Sequence, residues 1–98
     1  MKLTVSDEAA AWYKNELDLG EGDALRFFVR YGGNSVIHSG FSLGVMPGIP
    51  DEAAAAAEKS GITFYIEESD SWYFRDHDLT ILMEEKTAEP EFSYIERN

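Results

Sequence analysis

Along this 98-residue chain the spacing of hydrophobic and polar positions changes period several times, and each change marks an element. Residues 7 to about 17 carry helix formers, with Ala9, Trp12, Tyr13 and Leu17 spaced to share one helical face. Ser6 precedes them as an N-cap whose hydroxyl accepts from a first-turn N–H, and Asp7 and Glu8 suit the positive end of the helix. The run Asp18-Leu19-Gly20-Glu21-Gly22-Asp23 ends it. From Ala24 to Tyr31 the period becomes two: Leu25, Phe27, Val29 and Tyr31 point one way, Arg26, Phe28 and Arg30 the other. Gly32-Gly33-Asn34-Ser35 is expected to break that strand. Phe41, Leu43 and Val45 alternate again until Pro47-Gly48-Ile49-Pro50.

Residues 51–59 are ambiguous, because five consecutive alanines (Ala53 to Ala57) favour helix on propensity. Ser60-Gly61 followed by Ile62 to Glu67 reads as a turn into a strand, so the alanines could equally be that strand's partner. Ser69-Asp70-Ser71 suits the cap of a short helix through Trp72, Tyr73 and Phe74, three rings expected to plug the core. Leu79, Ile81 and Met83 mark another strand, residues 84–90 a polar loop, and Phe92, Tyr94 and Ile95 a last short strand. One helix followed by strands with short connections predicts a single α+β domain over residues 1–98. It should be mainly β, with an antiparallel sheet or sandwich, since connections this short leave little room for parallel crossovers. Trp12, Phe27, Val29, Phe64 and Ile66 are expected to share its core.

Composition narrows the function. The chain has no cysteine, which excludes thiolate-held metal centres and redox pairs and argues against a disulfide-stapled secreted domain. The first residues lack the apolar stretch of a signal peptide, and no run is long enough to span a bilayer, so a cytoplasmic protein is expected. Net charge is −11, divided unevenly: residues 1–49 carry −2 and residues 50–98 carry −9. Such a field repels nucleic acid and anionic membranes; its plainest reading is solubility, and its sharper one a face for a cationic partner, such as a metal ion or a basic protein.

Candidate chemistry is sparse. There is no Gly-x-Ser-x-Gly elbow, and adjacent acids such as Glu67-Glu68 and Glu84-Glu85 point to opposite faces of a strand, so they read as solvated edges and not as an acid–base pair. No catalytic constellation emerges, and a non-enzymatic protein is expected. The two histidines stand apart in sequence: His38 lies just past the glycine turn, and His77 sits between Asp76 and Asp78. Imidazole with carboxylates suits iron or zinc, although neither histidine belongs to a metal-binding motif.

Taken in order, these segments resemble the HesB-like family, which includes the A-type carriers of iron–sulfur cluster assembly. The resemblance is carried by Leu3-Thr4-Val5-Ser6-Asp7-Glu8-Ala9-Ala10, by Leu25-Arg26-Phe27-Phe28-Val29-Arg30-Tyr31-Gly32-Gly33, and most specifically by Ser39-Gly40-Phe41-Ser42-Leu43-Gly44. Gly61 to Ile66, Trp72-Tyr73-Phe74 and Leu79-Thr80-Ile81 follow in the family's order. The nearest resemblance is to a subgroup of small HesB-like proteins from Gram-positive bacteria. It implies a HesB-like β sandwich with an N-terminal helix, and a hairpin that makes residues 54–59 a strand against local propensity. The carriers' three cysteines have no counterpart: the first position falls on Asn34 or His38, depending on the anchor, and no Cys-Gly-Cys follows Phe92-Ser93-Tyr94. The resemblance therefore implies the fold without the cluster. What remains is an accessory or iron-binding role, with His38 as the candidate ligand for Fe²⁺ or Zn²⁺, or an acidic domain that engages a basic protein with no metal role.

Overall fold

The computed structural model describes residues 1–97. Strand β1 (Leu3–Val5) leads into helix α1 (Asp7–Glu16), followed by β2 (Ala24–Asn34), β3 (Ser39–Pro47), β4 (Ala53–Lys59) and β5 (Ile62–Glu67). A 3-10 helix (Glu68–Phe74), β6 (His77–Glu84) and β7 (Glu89–Glu96) complete the order. The strands form a three-stranded sheet, β1-β6-β7, and a four-stranded sheet, β3-β2-β5-β4. Both are mixed, because β1 pairs with β6 and β2 with β5 in parallel. The expected antiparallel pattern therefore holds only for the hairpins β2–β3, β4–β5 and β6–β7. The parallel partners lie far apart in sequence, so their crossovers are made by several intervening elements and not by one short connection.

Ser6 caps α1 as its sequence suggests, its Oγ accepting from the Ala9 N–H at 3.1 Å. The buried face of the helix is Ala9, Ala10 and Tyr13, with Trp12 packed at its margin. Leu17 falls outside the helix and is exposed. The chain then turns through Asp18, at φ 52°, and buries Leu19 in its place. A single core joins α1 to both sheets: Val5, Leu79 and Ile81 from one, Leu25, Phe27, Ile62, Phe64 and Ile66 from the other. Trp12 and Val29 are partly buried against this core, as the sequence grouped them.

The alanine run is a strand. β4 pairs antiparallel with β5, placing Ala55 opposite Ile66 and Ala57 opposite Phe64. Tertiary pairing overrides helix propensity here, because β5 is buried on both faces and requires a ladder partner for its backbone groups. Asp70 does not cap the 3-10 helix. It pairs with Arg26 at 2.9 Å and ties that helix to β2. At the chain's two ends, Asp78 Oδ1 accepts from the Lys2 N–H at 2.8 Å and from Arg97 Nη1 at 3.0 Å. These contacts, the Lys2 N–H foremost, hold the Asp78 carboxyl below its usual range.

Candidate functional site

The end of the molecule that carries the glycine pair was singled out by the sequence. Gly32 (φ 120°) and Gly33 (φ 65°) do not end β2. They form an irregularity within it, between the pairs Tyr31–Phe41 and Asn34–Ser39. A side chain at either position would be strained, which is why glycine stands there. Beyond them the turn is closed by its own polar groups. Asn34 Oδ1 accepts from Ser39 Oγ at 3.2 Å and from the Gly40 N–H at 2.9 Å. Ser35 Oγ accepts from the His38 N–H at 3.1 Å, and the Ser35 N–H donates to the His38 carbonyl at 3.2 Å. Val36 is left at the tip, 87% exposed.

His38 sits among aromatic rings. Its imidazole lies parallel to Tyr73 at 6.0 Å and edge-on to Phe41 at 4.8 Å and Trp72 at 5.5 Å. Nδ1 is 3.2 Å from the Ser39 carbonyl, which can only accept, so this nitrogen carries the hydrogen in that contact and Nε2 alone keeps a lone pair. His77 is built the same way, with Nδ1 3.1 Å from the Phe74 carbonyl. Asp78, its neighbour in sequence, is already engaged by Lys2 and Arg97. Among the described residues no group of three His, Cys, Asp or Glu side chains is placed to hold a metal ion, and the two histidines are not brought into one ligand set.

The iron–sulfur cluster implied by the resemblance does not fit this donor set. Asn34 and His38, the two positions that could stand for the first thiolate, are an amide oxygen that closes a turn and an imidazole wedged between rings. No thiolate ligand exists among the 98 residues, since none is a cysteine. Anaerobic reconstitution with iron and sulfide is therefore expected to leave no charge-transfer absorption after desalting. A stoichiometric, stable chromophore would overturn this. Titration calorimetry with Fe²⁺ or Zn²⁺ should give the same weak, salt-screened heat for wild type and His38→Ala, since among the described residues the imidazole belongs to no group of three His, Cys, Asp or Glu side chains that could hold either ion firmly.

One side of the turn carries exposed aromatics. Tyr31 (87% exposed) meets Phe41 edge-on at 5.6 Å, and Phe41 meets Trp72 at 5.3 Å. Of the three rings expected to plug the core, Tyr73 and Phe74 do so, while Trp72 is half exposed. In a 3-10 helix successive residues are about 120° apart, so three consecutive rings cannot all face inward. The Tyr73 and Tyr94 hydroxyls meet at 3.0 Å.

On the other side lies an open groove of about 480 Å³. Asn34, Ser35 and Val36 form one end, Ser42 and Leu43 of β3 one wall, and Pro90, Phe92 and Tyr94 of β7 the other. Glu84, Glu89 and Glu91 rim it, and among the described residues no Lys, Arg or His lines it. Sequence reasoning did not find these acids as a group. The signal was the i, i+2 spacing of Glu89 and Glu91, together with a hairpin register that sets Glu84 directly opposite Glu89.

Similarity to known proteins agrees with this architecture. The sequence profile of the family described as iron-sulphur cluster biosynthesis matches residues 1–93. A Bacillus subtilis protein named pyruvate dehydrogenase inhibitor is 55% identical over 94 residues, covering 96% of this chain and 99% of its own. Uncharacterized proteins of Staphylococcus saprophyticus and Staphylococcus haemolyticus are 40% identical over 84 residues and 35% identical over 97 residues. The first match covers 83% of this chain and 86% of the relative, the second 96% of each. With a HesB-like arrangement of strands around an N-terminal helix and a profile match over nearly all of its length, the chain belongs to the iron-sulphur cluster biosynthesis family.

Proposed function

We propose that this protein is a non-catalytic member of its family that acts by contact with another protein, and that its target is pyruvate dehydrogenase, whose activity it lowers. The observation that carries this reading is the 55% identity, across almost the whole of both chains, to the Bacillus subtilis protein named for that inhibition. Identity of that extent between chains of nearly equal length favours a shared binding surface as well as a shared fold. The chemistry of the chain supports it: a carrier of clusters requires thiolates, and this sequence has none. A role exercised through surface contacts requires only shape, charge and exposed anchors, and exposed Trp72 and Tyr31 on one side of the turn, with Val36 and an acid-rimmed groove on the other, supply these.

The test is pyruvate-dependent NADH formation by the purified pyruvate dehydrogenase complex of the same organism, with increasing amounts of the purified protein. The expected result is a saturable loss of activity that persists in the presence of a metal chelator. Unchanged activity at a large molar excess removes the assignment, and inhibition that disappears with chelator returns the metal-dependent role.

A further inference from the structure

We infer that the groove between the free edges of β3 and β7 takes an extended, basic segment of a partner protein, which adds as a strand to β7. The inference rests on the reading above, that the protein acts by contact, and it supplies the surface and the chemistry of what is recognised.

Three features of the fold lead there. First, β3 and β7 each pair on one side only, β3 with β2 and β7 with β6, so each presents a row of unpaired backbone donors and acceptors. The groove runs between these two edges. An extended peptide laid along such an edge completes the ladder through its main chain, and its alternate side chains then meet whatever lines the strand. Second, Leu43 and Phe92 line the groove and Val36 stands exposed at its end, an apolar surface for every second side chain of the incoming strand. Third, the charge is of one sign. Glu89 and Glu91 are two residues apart on one strand, about 7 Å in extended chain, the spacing at which alternate lysines or arginines of a paired strand would stand. Glu84, whose Oε1 accepts from the Lys86 N–H at 2.9 Å, faces Glu89 across the hairpin, and like charges set opposite each other favour a cation beside them.

The same features select the occupant. A second copy of this chain carries a net charge of −11 and would bring acid to acid. Pro90, within β7, also removes one donor from the edge, so fully paired self-association is disfavoured. A basic segment has the complementary charge and remains favourable despite the lost donor.

The probe is a synthetic peptide alternating lysine and valine, followed by fluorescence anisotropy and by amide hydrogen exchange of the full chain. Wild type should bind it with an affinity that falls as salt rises, and exchange should slow in β7 and β3. The double variant E89Q/E91Q should bind about tenfold more weakly, two partly desolvated ion pairs being lost. E52Q/E58Q removes the same charge from the region of β4, the opposite edge of the four-stranded sheet, and should bind as wild type does. A peptide N-methylated along one backbone edge should lose binding although its charge is unchanged. Equal weakening by both double variants, protection outside β3 and β7, or undiminished binding of the N-methylated peptide would each overturn the inference. Inhibition of pyruvate dehydrogenase is read separately: groove binding without inhibition upholds the groove and removes the enzyme assignment. Inhibition that E89Q/E91Q leaves intact removes the groove as the inhibitory surface and upholds the assignment.

Discussion

Replacing Phe64 with alanine is expected to lower the free energy of unfolding by about 3–5 kcal/mol, the usual cost of truncating a fully buried ring. Phe64 lies in β5, between β2 and β4, and has no exposed surface. Its ring stacks on Phe27 at 6.0 Å with 16° between planes and leans on Tyr13 at the same distance, so with the Tyr13–Phe27 contact at 5.7 Å it is one of those through which α1 and the four-stranded sheet share a core. Alanine there opens a cavity between two rings held by other neighbours: Phe27 by Phe92, Tyr13 by Trp12. Little collapse can therefore fill the space. For a domain of this size the loss is a large part of the total stability, of order 5–15 kcal/mol. Urea unfolding followed by tryptophan fluorescence measures it, with exposed Glu58→Ala as a reference expected to stay within about 0.5 kcal/mol. A Phe64→Ala change as small as that reference would place the ring at the surface and contradict the register Leu25–Phe64 and Ala57–Phe64.

The elements of this fold were largely legible in its sequence, and their partnerships were not. Alternation names the face of a strand, which is how Phe27, Phe64 and Ile66 were recognised as core. It says nothing of which strand lies alongside, so the parallel pairs β1–β6 and β2–β5 were missed. Local pattern also fails where a strand outruns the core. Tyr31 has the parity of Phe27, yet β2 has by then left the sandwich and the ring is 87% exposed. The alanine run shows the opposite case: its side chains prefer helix, and only the buried neighbour β5 makes it a strand. In the candidate site, the Gly32–Gly40 turn was visible because glycines, Asn34 and Ser35 act on residues near them in sequence. The groove was not, since it joins residues 34–43 to residues 84–94 across the gap between two sheets. His38 attracted attention as a rare imidazole in a loop, and its packing against Trp72 and Tyr73 depended on contacts more than 30 residues away.

Alkaline pH is expected to destabilise the domain steeply, through tyrosines that the fold keeps protonated. Burial pushes the Tyr13 hydroxyl up to about 12. Burial first, and then the hydroxyl of Tyr73, raises that of Tyr94. In the unfolded chain both titrate near 10. Because the folded values are the higher ones, the stability these groups contribute is complete below pH ~10 and is lost as pH rises above it, where the unfolded chain releases protons that the folded chain retains. Each such group removes about 1.4 kcal/mol per pH unit across its window. For Tyr13 the window closes near pH 12, a total loss of about 3 kcal/mol. Urea unfolding at intervals between pH 9 and pH 12 reads the slope directly. Tyr13→Phe should flatten it by one proton while changing stability at neutral pH little, because no hydrogen bond of that hydroxyl holds the ring in place and the ring itself remains. Tyr94→Phe should also flatten the slope, but with a cost of about 1 kcal/mol at neutral pH, since it breaks the 3.0 Å contact with the Tyr73 hydroxyl. A wild-type curve without a decline between pH 10 and 12, or a Tyr13→Phe curve parallel to it, would mean that the Tyr13 hydroxyl ionises as readily in the fold as in the unfolded chain, against the burial of this residue at 4% exposure.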